Sequence, residues 1–157
     1  MTRKNLFKII IIIIWLIVIF MFSNQNAQKS VNLSNKVVIK IAEVVKKRPL
    51  TTNEKIIISK KYRLLIRKSA HFFLYFALSI LIFALLKEFK KDNIQLILIT
   101  IALCMLYAIT DEVHQLFIAG RTSKFLDVMI DTAGATLGTV LSFITLKFRK
   151  KYIKKAN

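Results

Sequence analysis

The chain has 157 residues, 26 Lys and Arg against 8 Asp and Glu, a formal net charge of +18 and 55% hydrophobic residues. Charge and hydrophobicity are segregated, long uncharged apolar runs alternating with lysine-rich stretches, which excludes a disordered tail and most soluble globular folds. The single cysteine, Cys104, lies inside an apolar run, so an internal disulfide or a cysteine-based zinc site is excluded as well.

What remains is a small all-α membrane protein, a single domain over residues 1–157. The first span covers residues 6–22, apolar apart from Lys8, which can snorkel to the headgroups. A basic segment ahead of an apolar core also fits a cleaved signal, but the following Ser23 to Ala27 lacks small residues at cleavage spacing, so the span is retained. A long first loop, residues 23–69, follows. In it Leu33, Val37, Val38, Ile41, Val44 and Val45 recur at helical spacing against lysines, which predicts an amphipathic, basic helix, either in the headgroup plane or packed on the bundle's outer rim. Pro49 ends it, and Thr51 with Glu54 forms a capping box that opens a second basic helical segment. Spans two, three and four cover residues 70–86, 94–109 and 128–146, joined by short loops, which gives a four-helix transmembrane bundle.

Orientation rests on the basic residues. Arg3, Lys4 and Lys8, then Lys87, Lys90 and Lys91, then the tail from Lys147 to Lys155 share one side, facing a third loop that holds only Arg121 and Lys124. The long first loop is a contrary vote, but the termini and the short loops favour both termini in the cytoplasm of a cell-membrane protein.

The informative residues are polar ones at span ends. Arg67, His71 and Tyr75 are four apart and share a helix face. Tyr107, Asp111 and His114 share another, with Glu112 turned about a quarter-turn away. Asp127, Asp131, Gly134 and Gly138 form one stripe, whose small residues invite close approach of another helix and make it a candidate homo-oligomer face. The topology brings these ends to one membrane face, together with Ser23, Gln25, Lys68, Gln115 and Arg121. A polar cluster at that depth is expensive and reads as functional. The bland alternative is an ion-pair network that only holds helices together.

Four segments, in order, carry a family resemblance: Phe22-Ser23-Asn24-Gln25, Arg67-Lys68-Ser69-Ala70-His71-Phe72, Asp111-Glu112-Val113-His114-Gln115-Leu116-Phe117 followed by Gly120-Arg121-Thr122, and Asp127 through Gly134. They resemble the VanZ-like family of small bacterial membrane proteins. Ala119 departs from the pattern, standing where a turn former is expected. The resemblance implies an association with reduced susceptibility to teicoplanin, an acylated glycopeptide that acts on cell-wall precursors at the outer membrane face. It supplies no settled reaction.

Three functions compete. In the first, the protein binds or remodels a lipid-linked or other amphiphile at the outer leaflet, with Ser23, Gln25, Arg67, Lys68, Tyr75, Gln115, Arg121, Asp127 and Asp131 as ligand-binding residues. In the second, it is a membrane-embedded hydrolase or transferase in which His71 or His114 is base or nucleophile and Asp111 or Glu112 orients it. The third is an ion-coupled transporter, disfavoured because the polarity is one-sided. A metal set of His114, Glu112, Asp127 and Asp131 is weakly signalled, and no metal or other cofactor is expected. The expected partners are membrane lipids. The basic charge needs only anionic headgroups and does not require nucleic acid.

Overall fold

The computed structural model describes residues 2–89 and 92–156, with side chains through residue 149. Lys90 and Lys91, counted above for orientation, lie outside the described residues, as do the side chains of Lys150, Lys151, Lys154 and Lys155. The described chain forms five helices: α1 (Arg3–Ser23), α2 (Ala27–Lys46), α3 (Thr52–Leu86), α4 (Asn93–Gln115) and α5 (Phe125–Ala156). Local chemistry explains most of their starts. Thr2, Asn26, Thr51 and Asp92 each accept a hydrogen bond from the first turn of their helix, and Thr51 and Glu54 make the reciprocal capping box. After α2 the chain reverses through Lys47, whose φ is 52°.

Four helices, α1, α3, α4 and α5, are long and apolar enough to cross a membrane. All but the first run well past the spans read from hydropathy. Charged residues end an apolar run without ending a helix, so α4 continues through Asp111 and Glu112 to Gln115. Most extended is α3, whose 35 residues span about 52 Å at 1.5 Å each, against a hydrocarbon core of about 30 Å. Its first half continues beyond the span and pairs with α2 as a helical hairpin.

That pairing makes α2 a helix packed on the outer rim of the bundle. The face that α2 buries carries Ser30, Ser34 and Val38, small side chains that allow close approach to α3. Val38 is the buried member of the apolar stripe, whose C-terminal end is turned outward, with Val44 at 70% and Val45 at 74% exposure.

Ile19, Tyr75, Leu78, Ile82, Cys104, Ala108, Val128 and Ala135 form the bundle core, while large apolar side chains elsewhere face outward as lipid-facing residues do. Two long polar side chains tie α1 into it. Trp15 Nε1 donates to the Leu74 carbonyl at 2.9 Å, and the Tyr107 hydroxyl donates to the Leu16 carbonyl at 2.9 Å. Lys8 reaches the far end of α3, where its Nζ stands 2.8 Å from Glu88 and holds that carboxyl below its ordinary range.

The glycine stripe of α5 is spent inside the chain. A Cβ at Gly134 would fall on the Phe72 carbonyl of α3, and one at Gly138 on the Phe76 carbonyl and the Ser79 hydroxyl. The face read as a candidate oligomer contact is therefore the α3–α5 seam. At the same end of the bundle, the Ala27 N–H donates to the Ala119 carbonyl at 3.3 Å. This pins the third loop to the start of α2, a tie that uses the backbone of Ala119 and no turn-forming ring. Gly120 follows at φ 74°, with a Cβ position 3.1 Å from Ala27 Cβ, so both conformation and space ask for glycine there.

Candidate functional site

The start of α3, the end of α4, the third loop and the start of α5 meet around one polar pocket. It is lined by Arg67, Lys68, His71, Glu112, Gln115, Arg121, Asp127, Ile130 and Asp131, and its free volume of about 20 Å³ suffices for about one water or a small ion.

The pocket has a rim and a floor. On the rim, Lys68 Nζ stands 2.7 Å from Asp127 Oδ1, a partly buried pair that the sequence placed on one membrane face. Arg121 donates from Nη2 to the Phe22 carbonyl at 3.2 Å, tying the third loop to the end of α1, while its buried Nε has no partner among the described residues. Arg67 makes no ion pair among the described residues. Burial, and after it the Arg67 guanidinium, hold Arg121 below its ordinary pKa. Two adjacent guanidiniums, one unpaired and one tied only to a carbonyl, make a cationic subsite that an anion would satisfy.

The floor is acidic and deeper. Asp131 is 1% and Asp111 4% exposed. His71 Nδ1 lies 3.8 Å from Asp131 Oδ2, and Gln115 Nε2 donates to Asp111 Oδ2 at 3.2 Å. Among the described residues, neither oxygen of Asp131 has a hydrogen-bond partner, nor do the buried hydroxyls of Tyr75 and Ser23. One donor atom from each of His71, Asp111 and Asp131 lies within 4.8 Å of the others, a group able to hold a metal ion.

Of the sequence-derived set, Ser23, Tyr75 and Asp111 are buried beneath the pocket and outside its lining, and two more, His114 and Gln25, turn elsewhere. His114 turns to α1, with Nε2 3.3 Å from Asn24 Oδ1 and its ring 4.8 Å from that of Phe20. A three-residue step on a helix falls about 60° short of a full turn, and α1 occupies that direction. Gln25 lies in a neighbouring apolar groove. Glu112, set a quarter-turn aside in the sequence reading, does line the pocket, and its Oε2 accepts from the Lys124 N–H at 3.0 Å, holding the third loop before α5. That backbone N–H and the Phe22 carbonyl are partners that a survey of side chains does not find. Asn24 was also missed as a partner, although it stands inside a quoted motif.

The neighbouring groove runs along α3 between α1 and α2. It has a volume of about 490 Å³ and an apolar lining that includes Trp15, Phe22, Leu33, Val37, Phe73 and Leu74. Arg67 and His71 belong to both the groove and the polar pocket. A cationic polar site and an apolar channel thus share a wall.

A model of the VanZ/LLP1 family matches residues 7–146. No curated protein and no solved structure matches the chain. The match covers nearly the whole sequence, so the chain belongs to the VanZ/LLP1 family, and with its four apolar helices it is a multi-pass membrane protein.

Proposed function

We propose, taking VanZ/LLP1 membership as the premise, that the protein binds an anionic amphiphile at the outer leaflet of the cell membrane and thereby lowers susceptibility to teicoplanin-type lipoglycopeptides. The observation that carries this reading is the shared wall: Arg67 lines both the polar pocket and the apolar groove. A phosphate or carboxylate headgroup meets Arg67 and Arg121, while the acyl chain follows the groove past Leu74 and Trp15. The pocket's small free volume means that the headgroup sits at the rim, between the guanidiniums. A tail already in the bilayer gains little by entering a protein groove, since lipid is as apolar as leucine. The groove therefore sets position, and the headgroup contacts set affinity.

In this reading both termini are cytoplasmic and the pocket is extracytoplasmic. In a Cys104→Ala background, Arg121→Cys is expected to react with an impermeant thiol reagent on intact cells, whereas Lys87→Cys reacts only after lysis. The opposite pattern would move the pocket to the cytoplasm and remove the outer-leaflet reading.

The functional test is teicoplanin susceptibility in a sensitised host, with membrane abundance measured for every variant. Arg67→Gln with Arg121→Gln is expected to restore full sensitivity at normal abundance, and His114→Ala, outside the pocket, to keep protection. Full protection by the double variant at normal abundance would exclude the cationic rim as the working site.

A second reading has its own observation. His71 beside Asp131 resembles a base held by an orienting carboxylate, with Arg121 placed to stabilise developing negative charge. It would make the protein a hydrolase or transferase of a lipid-linked envelope substrate, and turnover of such a substrate by the purified protein separates the two.

A further inference from the structure

The pocket floor asks for a ligand different from that of the rim. His71 Nδ1 and Asp131 Oδ2 are 3.8 Å apart, beyond the roughly 3.2 Å limit of a good N–H···O hydrogen bond. Asp131 is 1% exposed, and both its oxygens lack partners among the described residues. Gln115 satisfies one oxygen of Asp111. Two neutral groups nearby are in the same position: the Tyr75 and Ser23 hydroxyls, each on a residue 0% exposed and without a partner among the described residues. Tyr75 sits one turn along α3 from His71 and close to both carboxylates, and Ser23 lies beside Asp111. Buried polar groups are almost always satisfied, and in hydrocarbon an unsatisfied carboxylate is costlier still. A cluster of unmet donors and acceptors from α1, α3, α4 and α5 points to an occupant.

We infer that His71, Asp111 and Asp131 bind one divalent transition-metal ion, with the Ser23 and Tyr75 hydroxyls supporting it. One imidazole and two carboxylates suit Zn²⁺ or Mn²⁺ better than Mg²⁺ or Ca²⁺, which prefer all-oxygen sets. The two carboxylate charges cancel those of the ion, which suits a low-dielectric surrounding. Ligands at about 2.0–2.2 Å from a tetrahedral ion stand about 3.5 Å from one another, so the 3.8 Å gap closes by side-chain adjustment. This set differs from the His114, Glu112, Asp127 and Asp131 group suggested by the sequence. His114 has left the pocket, Glu112 holds Lys124, and Asp127 is paired with Lys68. The inference is independent of headgroup binding, because it concerns the floor and not the guanidinium rim.

The full chain, purified in detergent and stripped with chelator, is titrated with Co²⁺ alone. The expected result is saturable one-equivalent binding with visible d–d absorption, displaced by Zn²⁺. Asp131→Asn and Asp111→Asn are expected to weaken it at least tenfold, while Glu112→Gln and Asp127→Asn leave it within about twofold. Because an aspartate variant can also fail by misfolding, His71→Cys in the Cys104→Ala background supplies a gained signal. A thiolate ligand should add a near-ultraviolet sulfur-to-cobalt charge-transfer band. No saturable binding by helical, monodisperse wild type would overturn the inference. So would an affinity unchanged by Asp131→Asn, or Co²⁺ binding to the His71→Cys variant without the charge-transfer band.

Discussion

Gly134→Val is expected to stop the protein accumulating in the membrane. The Cβ added at Gly134 falls on the Phe72 carbonyl, a backbone atom of α3 that cannot rotate aside. The two helices must separate, and the separation spreads along their shared seam. It opens the core where Tyr75 and Ala135 are fully buried, and it draws His71 on α3 away from Asp131 on α5. Overpacking in an interior costs about 1–3 kcal/mol and sometimes more. Close packing is also what holds helices together in lipid, where no hydrophobic gain offsets its loss. Membrane abundance and the melting temperature of purified protein check this, with Leu141→Val, on the outward face of α5, as the control. Wild-type abundance and melting for Gly134→Val would mean that α3 and α5 do not meet through the glycine stripe.

The stripe was legible before the structure because small residues at four-residue spacing carry a packing signal even in an apolar background. The same logic was available for α2 and was masked. Its leucine and valines dominate a hydrophobic-periodicity reading, yet all of them but Val38 are partly or fully exposed, and the serines at positions 30 and 34 are buried. In a protein whose surroundings are apolar, hydrophobicity does not tell inside from outside, whereas smallness still does. Helix starts were legible where a side chain caps them, as at Thr51 and Glu54. The ends of α4 and α5 were not, since Asp111, Glu112 and Asp127 looked like boundaries and proved to be helical. At the site, the convergence of Arg67, Lys68, His71, Glu112, Gln115, Arg121, Asp127 and Asp131 followed from topology alone. The misplacement of His114 came from treating a three-residue step as facing the same neighbour. The groove was invisible, because its lining comes from three helices and consists of residues common to any span. The backbone partners at Phe22 and Lys124 carry no sequence signal at all.

Arg67→Gln with Arg121→Gln is expected to have the largest effect on binding. A hydrogen bond to a charged group contributes about 1.5–3 kcal/mol. Losing one from each guanidinium therefore lowers affinity for an anionic headgroup at least a hundredfold. Folding should survive, because Arg67 has no ion-pair partner to strand among the described residues and Arg121 gives up one hydrogen bond, to the Phe22 carbonyl. Removing two neighbouring like charges also relieves repulsion between them. The Lys68–Asp127 pair, in contrast, is a partly exposed contact of the kind that contributes about 0–1 kcal/mol, and its loss should matter less to binding.

The most direct measurement compares two probes with the same tail on the purified full chain, hexadecyl phosphate and hexadecyl phosphocholine, by titration below their critical micelle concentrations. Equal tails cancel the groove's contribution and leave the headgroup. The α2–α3 hairpin carries many other basic residues, so Lys60→Gln with Lys61→Gln serves as the control for nonspecific attraction. The account predicts saturable binding of the phosphate at least tenfold tighter than that of the phosphocholine, lost in the Arg67→Gln/Arg121→Gln protein and kept in the Lys60→Gln/Lys61→Gln protein. Equal affinity for the two probes, or phosphate binding unchanged in the double arginine variant, would contradict it.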